Sequence, residues 1–237
     1  YFQSNVVGTL NVLNAAKKAK VKKFIYTASA SCYGIPDKFP TDEKSKINLQ
    51  HPYALTKYFG EQLVINWAKV YNMPNVSLRL FNAYGPRSGI KGAYSSVFGI
   101  FLAQKLAKKP LTIVGNGNQT RDFIHINDLV RAIIKATEKG KEGEVYNVGS
   151  GKEISVNFIA DLIGGDKLSV SKRLGETDRS LSDISKIKRQ FNWAPTVKIE
   201  EGIGMLLKNI NNWKEASVLT PEKIEEATNT WSRYLKK

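Results

Sequence analysis

The chain has 237 residues, of which 42% are hydrophobic and 24% are charged, a composition typical of a globular protein with one large or two small domains. No apolar run approaches the ~20 residues that cross a bilayer, and one cysteine with two histidines excludes an internal disulfide framework and a spaced metal site. The formal charge is +15, but the lysines are spread along the whole chain without a nucleic-acid-binding motif, so we expect a solvated lysine-rich surface and no nucleic-acid or membrane partner.

The first predicted elements alternate between helix and strand. Apolar residues at helical spacing predict a helix over residues 6–20, and a β-rich run predicts a buried strand over residues 24–28. A second helix is predicted to open at His51 and Pro52 and to end near residue 71, before a strand over residues 76–81. The expected inward face of this second helix comprises Leu55, Phe59, Leu63 and Trp67. The alternation indicates a parallel α/β sheet.

The sequence changes character after Gly85 and Pro86, and the later elements are shorter. Glycine-rich turn signals end two of the strands, and Thr220 with Pro221 opens the last helix. The predicted helices cover residues 97–108, 128–139, 155–163, 199–210 and 221–235, with a short helix beginning at residue 183. The predicted strands cover residues 111–114 and 145–148.

Three residues form a candidate proton-transfer set. Tyr53 and Lys57 are four residues apart, so they share one face of the second helix. Ser29 stands at the end of the first buried strand and can reach that face. A phenol, an ammonium and a hydroxyl in this arrangement suit the oxidation or reduction of a carbinol, although the spacing alone also suits an ordinary helix pair.

These residues belong to an ordered series of motifs. With them, the chain resembles the extended short-chain dehydrogenase/reductase family, and specifically its NAD-dependent nucleotide-sugar epimerases and dehydratases such as UDP-glucose and UDP-N-acetylglucosamine 4-epimerases. The resemblance runs through essentially the whole chain. Its motifs are Asn5 to Leu10, Ser29 to Gly34, Tyr53 to Lys57, Arg79 to Arg87, Gly115 to Gly117, Arg121 to His125, Tyr146 to Gly151, Gly175-Glu176, Asp183 to Lys186 and Trp193 to Pro195.

One departure from the family pattern is large. The family begins with a strand and a glycine-rich turn that receives the dinucleotide pyrophosphate at a helix N-terminus. The sequence lacks this segment and starts roughly 80–100 residues into the pattern, judged from the length of βαβ units. Two explanations are open, that the sequence is incomplete or that this polypeptide alone would hold NAD weakly and be inactive.

The resemblance implies an α/β fold in two parts. The first is a Rossmann-like parallel sheet whose N-terminal part is missing, and the second is a smaller C-terminal α/β domain for the nucleotide sugar. Residues 1–84 would form the C-terminal part of the dinucleotide-binding domain. Residues 85–237 would form mainly the substrate domain, with residues 120–150 returning to the Rossmann sheet.

The resemblance also assigns roles around an NAD cofactor. Tyr53 would be the general base, and the Lys57 ammonium favours its phenolate form and would hold the nicotinamide ribose. Ser29 would bond the sugar O4 and shuttle its proton. The positions that would line the cofactor are Asn5, Ala28, Tyr53, Lys57 and Phe81.

The expected substrate-binding residues are Ser31, Asn82, Val97, Arg121, Arg173, Glu176 and Ser180. The arginines and Asn82 would hold the diphosphate, because a guanidinium binds phosphate bidentately. Val97 would touch the base, or simply pack in the core. Glu176 would bond the nucleotide ribose, and the small Ser180 would leave room for an N-acetyl group. Two alternatives stay open, that Arg121 pairs with Asp122 and that Arg179 exchanges roles with Arg173.

The implied activity is oxidation and re-reduction at the sugar C4. Ala30 and Ser31 stand where related dehydratases and decarboxylases carry a carboxylate, so these residues favour a 4-epimerase of UDP-hexose or UDP-N-acetylhexosamine. The alternatives are a 4,6-dehydratase, decarboxylase or reductase of the same family, and a non-catalytic nucleotide-sugar-binding fragment. The resemblance further implies a homodimer formed through the first two predicted helices. The single cysteine suits a cytoplasmic protein.

Overall fold

The computed structural model describes residues 1–88, 96–172 and 177–235. The helices are α1 (Gly8–Lys18), α2 (Pro52–Tyr71), α3 (Val97–Leu106), α4 (Ile126–Lys139), α5 (Val156–Ile163), α6 (Ser185–Phe191), α7 (Ile199–Lys208) and α8 (Pro221–Leu235). The strands are β1 (Phe24–Ser29), β2 (Asn75–Leu80), β3 (Asn82–Tyr84), β4 (Leu111–Val114), β5 (Thr120–Arg121), β6 (Phe123–His125), β7 (Val145–Val148), β8 (Ile154–Ser155) and β9 (Lys167–Val170). The helix and strand predictions are therefore confirmed within a few residues at each end.

A three-stranded parallel sheet with the order β1-β2-β7 organises the first part of the molecule. Ser29 pairs with Leu80 on β2, which in turn pairs with Val148 on β7, so the carboxyl ends of all three strands lie at one edge. Strand β2 is buried along almost its whole length, as expected for a central parallel strand. Helix α2 connects β1 to β2 and packs on both. The α/β prediction with a parallel sheet is confirmed.

Three two-stranded sheets and an isolated bridge between Thr41 and Ser182 make up the remaining β-structure of the described residues. Strands β3 and β6 pair in parallel, as do β4 and β9, whereas β5 and β8 are antiparallel. A second apolar core lies among α3, α5 and α7 and includes the buried rings of Tyr84, Phe98, Phe101 and Trp213. Strands β3, β5, β6, β8 and β9 were not predicted. The first four have only two or three residues each, and β9 has three exposed side chains out of four, so none shows an alternating apolar pattern.

The predicted inward face of α2 is wrong at two positions. Leu55 and Phe59 are 37% and 42% exposed, and the face against the sheet carries smaller or polar residues. The buried residues of α2 are Ala54, Thr56, Gly60, Glu61 and Val64. The helix approaches β1 so closely that a Cβ atom at Gly60 would lie 2.2 Å from the Tyr26 hydroxyl. Small residues are needed there, so the large apolar side chains are directed outward.

Two further features of the described residues concern membranes and metals. No helix among residues 1–88, 96–172 and 177–235 combines the length and apolarity of a membrane span. Within the same ranges, no group of three His, Cys, Asp or Glu side chains could hold a metal ion. The one cysteine, Cys32, is buried, and burial raises the pKa of its thiol to about 12.

Candidate active site

Helix α2 presents Tyr53 in its first turn. His51 caps the helix, because its Nδ1 accepts a hydrogen bond from the Ala54 N–H at 3.2 Å, and Pro52 occupies the first turn. The Tyr53 ring stacks on His51 with the centroids 6.1 Å apart and is 36% exposed. The local sequence thus starts the helix at a defined residue and leaves the candidate base accessible to a ligand.

Lys57 reaches from α2 to the carboxyl end of β1. Its Nζ donates a hydrogen bond to the Thr27 carbonyl oxygen at 2.6 Å and lies 4.6 Å from the centroid of the Tyr26 ring. Burial lowers the pKa of Lys57, because the ammonium loses part of its hydration. The candidate ammonium is therefore held on the strand that ends in Ser29.

Ser29 and Ser31 form a pair of hydroxyl groups at the end of β1. Ser29 caps a 3₁₀ turn (Ala30–Tyr33), and its Oγ accepts a hydrogen bond from the Ser31 N–H at 3.3 Å. The two Oγ atoms are 2.9 Å apart, so one hydroxyl donates to the other. Lys57 binds the Thr27 carbonyl oxygen two residues before Ser29, and Tyr53 lies one helical turn before Lys57 on α2.

The residues assigned to the cofactor surround this edge. Asn5 lies in a π-helical turn (Gln3–Val7), and its Nδ2 donates to the Thr56 hydroxyl at 3.0 Å, which itself donates to the Tyr53 carbonyl oxygen at 3.1 Å. Ala28 is 4% exposed, and Phe81 is 7% exposed and packs on Tyr33 and Cys32. Ala28 and Phe81 are thus buried core residues, Ala28 directly before Ser29 and Phe81 against the 3₁₀ turn that follows it.

This arrangement fits a nicotinamide cofactor. Ligands of open parallel sheets bind outside the carboxyl ends of the strands, which is where Ser29 and Lys57 lie. The Lys57 ammonium has three N–H donors, and the Thr27 carbonyl takes one of them, so two remain for ribose hydroxyl groups. Lys57 and the exposed ring of Tyr53 are the residues that would meet the nicotinamide end of the cofactor.

The residues assigned to the substrate are spread over β3, β5 and α3. Asn82 donates from its Nδ2 to the Asp122 carbonyl oxygen at 3.2 Å, and Arg121 donates from its Nη1 to the Thr120 carbonyl oxygen at 2.9 Å. Strands β3 and β6 place Asn82 opposite Phe123, two residues from Arg121. Val97 is the first residue of α3 and packs against the second core, which agrees with the packing alternative.

Arg179 forms an ion pair with Glu153. A role exchanged with Arg173 would instead have Arg179 bind the diphosphate of the substrate. Its Nε and Nη2 donate to the Glu153 carboxylate at 2.9 and 2.7 Å, and its guanidinium lies 4.5 Å from the centroid of the Phe39 ring. Hydrogen bonding to Glu153 raises the pKa of Arg179. Two assigned residues, Arg173 and Glu176, lie outside the described residues.

Asp122, which the sequence suggested only as a possible partner of Arg121, joins several segments of the fold. Its fully buried carboxylate accepts hydrogen bonds from the backbone N–H groups of Ser150, Gly151 and Ser182, at 2.6 to 3.0 Å. The hydroxyl groups of Ser150 and Ser182 donate to it as well. This carboxylate joins β6 to the segment that carries Ser180, which is half-buried two residues before Ser182. The signal that could have identified it is an aspartate placed directly before the apolar pair Phe123 and Ile124.

A buried polar network also escaped the sequence reasoning. The Arg79 guanidinium donates to the Glu61 carboxylate at 2.9 and 2.7 Å and to the Tyr33 hydroxyl at 2.9 Å. Tyr33 donates to the Asn147 Oδ1 at 2.7 Å, and the Asn147 N–H donates to Glu43 at 2.8 Å. The network therefore joins α2, the 3₁₀ turn after Ser29, β2 and β7 beneath the site.

The sequence is similar to a known family and to characterised members of it. Residues 1–149 match the sequence profile described as the NAD dependent epimerase/dehydratase family. The UDP-glucose 4-epimerase of Mycolicibacterium smegmatis is 33% identical over 215 residues, which cover 88% of this chain and 68% of that protein. The dTDP-D-glucose 4,6-dehydratase of Homo sapiens is 33% identical over 226 residues, covering 89% of this chain and 63% of that protein.

Solved structures show the same likeness. An epimerase from Methanothermobacter thermautotrophicus superposes with a TM-score of 0.85 at 31% identity and covers 90% of this chain and 67% of its own. The UDP-glucuronic acid 4-epimerase of Bacillus cereus, in complex with UDP-glucuronic acid and NAD, superposes with a TM-score of 0.82 at 32% identity, covering 89% of this chain and 68% of its own. Both are similar to this chain over both parts of its fold.

Proposed function

The chain belongs to the NAD dependent epimerase/dehydratase family, and on this premise we propose that it is an NAD-dependent nucleotide-sugar 4-epimerase acting on UDP-hexose or UDP-N-acetylhexosamine. The observation that carries the proposal is the Ser29–Ser31 hydroxyl pair at the end of β1, on the strand that holds Lys57. The relatives include both epimerases and dehydratases, so this local chemistry must distinguish between the two activities.

The chain's own residues supply the proton transfer. Tyr53 accepts the proton of the sugar C4 hydroxyl, and Ser29 bonds the same oxygen and passes the proton between them. Lys57 keeps its ammonium at the carboxyl end of β1, on the strand that carries Ser29. NAD, when bound, supplies the acceptor and donor of the C4 hydride. If the hydride returned to the opposite face of the 4-keto sugar, the product would be the 4-epimer.

The absence of a carboxylate in the 3₁₀ turn supports epimerisation over elimination. A 4,6-dehydratase needs an acid and a base beside C5 and C6 of the sugar. Ala30 and Ser31 offer no carboxyl group, and the nearby carboxylates of Glu61 and Glu43 are hydrogen-bonded to Arg79 and Asn147. We therefore assign Ser31 to binding the sugar hydroxyl groups.

The nucleotide end of the substrate is assigned to the second part of the chain. We propose that Asn82, Arg121 and Arg173 bind the diphosphate, that Val97 and Glu176 contact the nucleoside, and that Ser180 faces the sugar C2 group. Residues 1–84 and 120–150 then belong mainly to the cofactor-binding part, because β7 pairs with β2. The remaining residues form the nucleotide-sugar part. A cytoplasmic location remains a prediction from the cysteine count.

A homodimer is part of the proposal. Helices α1 and α2 pack on each other and expose large apolar side chains, with Val12 56%, Leu55 37% and Phe59 42% exposed. Such side chains on two adjacent helices form an apolar surface that a second copy would bury. The dimer contact would thus lie on the outer face of the helix that carries Tyr53 and Lys57.

The test is a product analysis. The full-length protein is incubated with NAD and, separately, with UDP-glucose, UDP-N-acetylglucosamine and their galacto epimers, and the products are separated chromatographically. We expect interconversion of one gluco/galacto pair without net change in redox state. Accumulation of a 6-deoxy-4-keto sugar, or binding without turnover, would contradict the proposal.

A further inference from the structure

Tyr26 lies directly against the Lys57 ammonium. It is on β1, three residues before Ser29, and is 8% exposed. The Lys57 Nζ is 4.6 Å from the centroid of its ring, within the ~6 Å over which an aromatic face attracts a cation. The same ammonium donates to the Thr27 carbonyl oxygen at 2.6 Å. Two successive residues of one strand therefore hold the charged end of Lys57.

The position of the Tyr26 ring is fixed from the other side by α2. The Tyr26 hydroxyl donates to the Lys57 carbonyl oxygen at 3.3 Å. It occupies a notch left by Gly60, where a Cβ atom would come within 2.2 Å of this hydroxyl. The ring is thus locked between β1 and the helical turn that carries Lys57, which makes its contact with the ammonium a property of the fold.

An aromatic ring stabilises the Lys57 ammonium without neutralising its positive charge, which a carboxylate would do. Burial lowers the pKa of Lys57, so the ammonium needs compensation for lost hydration. A carboxylate would neutralise the charge of the ammonium, whereas the ring quadrupole attracts the cation and leaves its net charge in place. In the part of the chain that the structure describes, the contacts of the Lys57 Nζ are a carbonyl oxygen and an aromatic face.

We propose that Tyr26 is a positioning residue, whose ring face holds the Lys57 ammonium charged and in place for the oxidation step; this inference rests on the proposed function. Tyr26 contacts neither the sugar nor the reacting atoms and acts through Lys57. The hydroxyl of Tyr26 has a secondary role, since it orients the ring and takes no part in the contact with the cation.

The test replaces Tyr26 by phenylalanine and by phenylalanines carrying one, two and three fluorine atoms. Fluorination weakens the electrostatic attraction of the ring face for a cation at nearly constant shape. The ionisation of Lys57 is followed by NMR on protein labelled in the lysine side chains, with Lys57→Arg used for the assignment. Tyr53 and Glu61, one helical turn on each side of Lys57, are unchanged in every variant.

We expect the acid dissociation constant of Lys57 to rise stepwise along the fluorine series, by ~3- to 10-fold in total, which corresponds to a cation–π contact of ordinary strength. The epimerase kcat of the NAD-loaded full-length protein should fall in the same order, with little change in the KM for the nucleotide sugar. Tyr26→Phe should retain most of the wild-type kcat, and Tyr26→Met, which keeps side-chain volume without a ring, should resemble the trifluoro variant.

The ionisation of Lys57 and the epimerase kcat together distinguish a failure of this inference from a failure of the proposed function. Lys57 ionisation that does not change along the series would overturn the positioning role, whatever the enzyme's activity. A stepwise change in ionisation without epimerase turnover in the wild type would retain the role of Tyr26 and contradict the proposed function. Equal kcat in the phenylalanine and trifluorophenylalanine variants of an active enzyme would also overturn the inference.

Discussion

The Arg79 guanidinium and the Glu61 carboxylate form a bidentate ion pair in the interior, with Arg79 5% and Glu61 1% exposed. The pair joins the central strand β2 to the helix that carries Tyr53 and Lys57. Because Arg79 also donates to Tyr33, the same guanidinium holds the turn that follows Ser29. The three candidate catalytic residues are therefore fixed relative to one buried cation.

Glu61→Gln should destabilise the protein strongly. Removal of one partner leaves a buried charge without its counter-ion, which costs ~3–5 kcal/mol in the free energy of unfolding. Urea unfolding at neutral pH measures this change. Lys38→Gln is the matched control, because Lys38 pairs with Asp42 at the surface and its loss should cost less than ~1 kcal/mol. Equal effects of the two substitutions would refute the structural importance of the pair.

Tyr53→Phe should abolish most of the turnover. Loss of the phenolic oxygen removes the proton acceptor, and general acid–base catalysis contributes ~10²- to 10⁴-fold. The kcat should fall by that factor, while calorimetric affinity for the nucleotide sugar changes little. Tyr71→Phe serves as the control, since Tyr71 is an exposed tyrosine on the same helix and should keep full activity. Undiminished turnover in Tyr53→Phe would remove Tyr53 from the mechanism.

Arg121→Gln should weaken substrate binding. A hydrogen bond to a charged group contributes ~1.5–3 kcal/mol, so the Kd for the UDP-sugar should rise ~10- to 100-fold. Urea unfolding of the variant is measured in parallel, so that a loss of affinity can be separated from a loss of folding. Arg131→Gln provides the comparison, since Arg131 bonds Thr196 and Ala194 and its loss should leave the Kd unaltered.

Phe59→Glu should dissociate the proposed dimer. A charge on the exposed apolar face of α2 cannot be buried against a second copy without a partner. Sedimentation velocity should show a monomer at concentrations where the wild-type protein is dimeric. Val130→Glu, on an exposed position of α4, should leave the dimer intact. A monomeric wild-type protein at high concentration would contradict the dimer itself.

Asp128 should make stability depend on pH in the acid range. Burial raises the pKa of its carboxyl group, but hydrogen bonds from Val197, Arg131 and Thr196 outweigh burial and lower it overall. The stabilisation is therefore present above the unfolded pKa of about 3.9 and is lost as the pH falls through the lower folded value.

The corresponding variant is Asp128→Asn. Its free energy of unfolding, measured from about pH 6 down to about pH 2.5 across the range of carboxyl titration, should fall less steeply than that of the wild type. Glu138→Gln, which removes a surface carboxylate paired with Lys135, is the control. Identical pH profiles for wild type and Asp128→Asn would exclude Asp128 as the source of the dependence.

Local spacing in the sequence was sufficient to predict the helices, four of the strands and a candidate catalytic trio. A tyrosine and a lysine four residues apart share a helix face in any α-helix, and a β-rich run before Ser29 predicts a strand regardless of its neighbours. The structure confirms that Lys57 reaches β1 two residues before Ser29. The family was recognisable for the same reason, because its motifs are short and occur in order.

Tertiary structure alone decided which residues support that trio. The sequence predicted Leu55 and Phe59 inside, whereas the close approach of α2 to β1 requires Gly60 to make room for Tyr26, so the large side chains are exposed. Likewise, no spacing rule pairs Glu61 with Arg79, eighteen residues later. Which face is buried and which charges meet depend on the distance between elements, and that distance is set by packing across the whole fold rather than by neighbours in the chain.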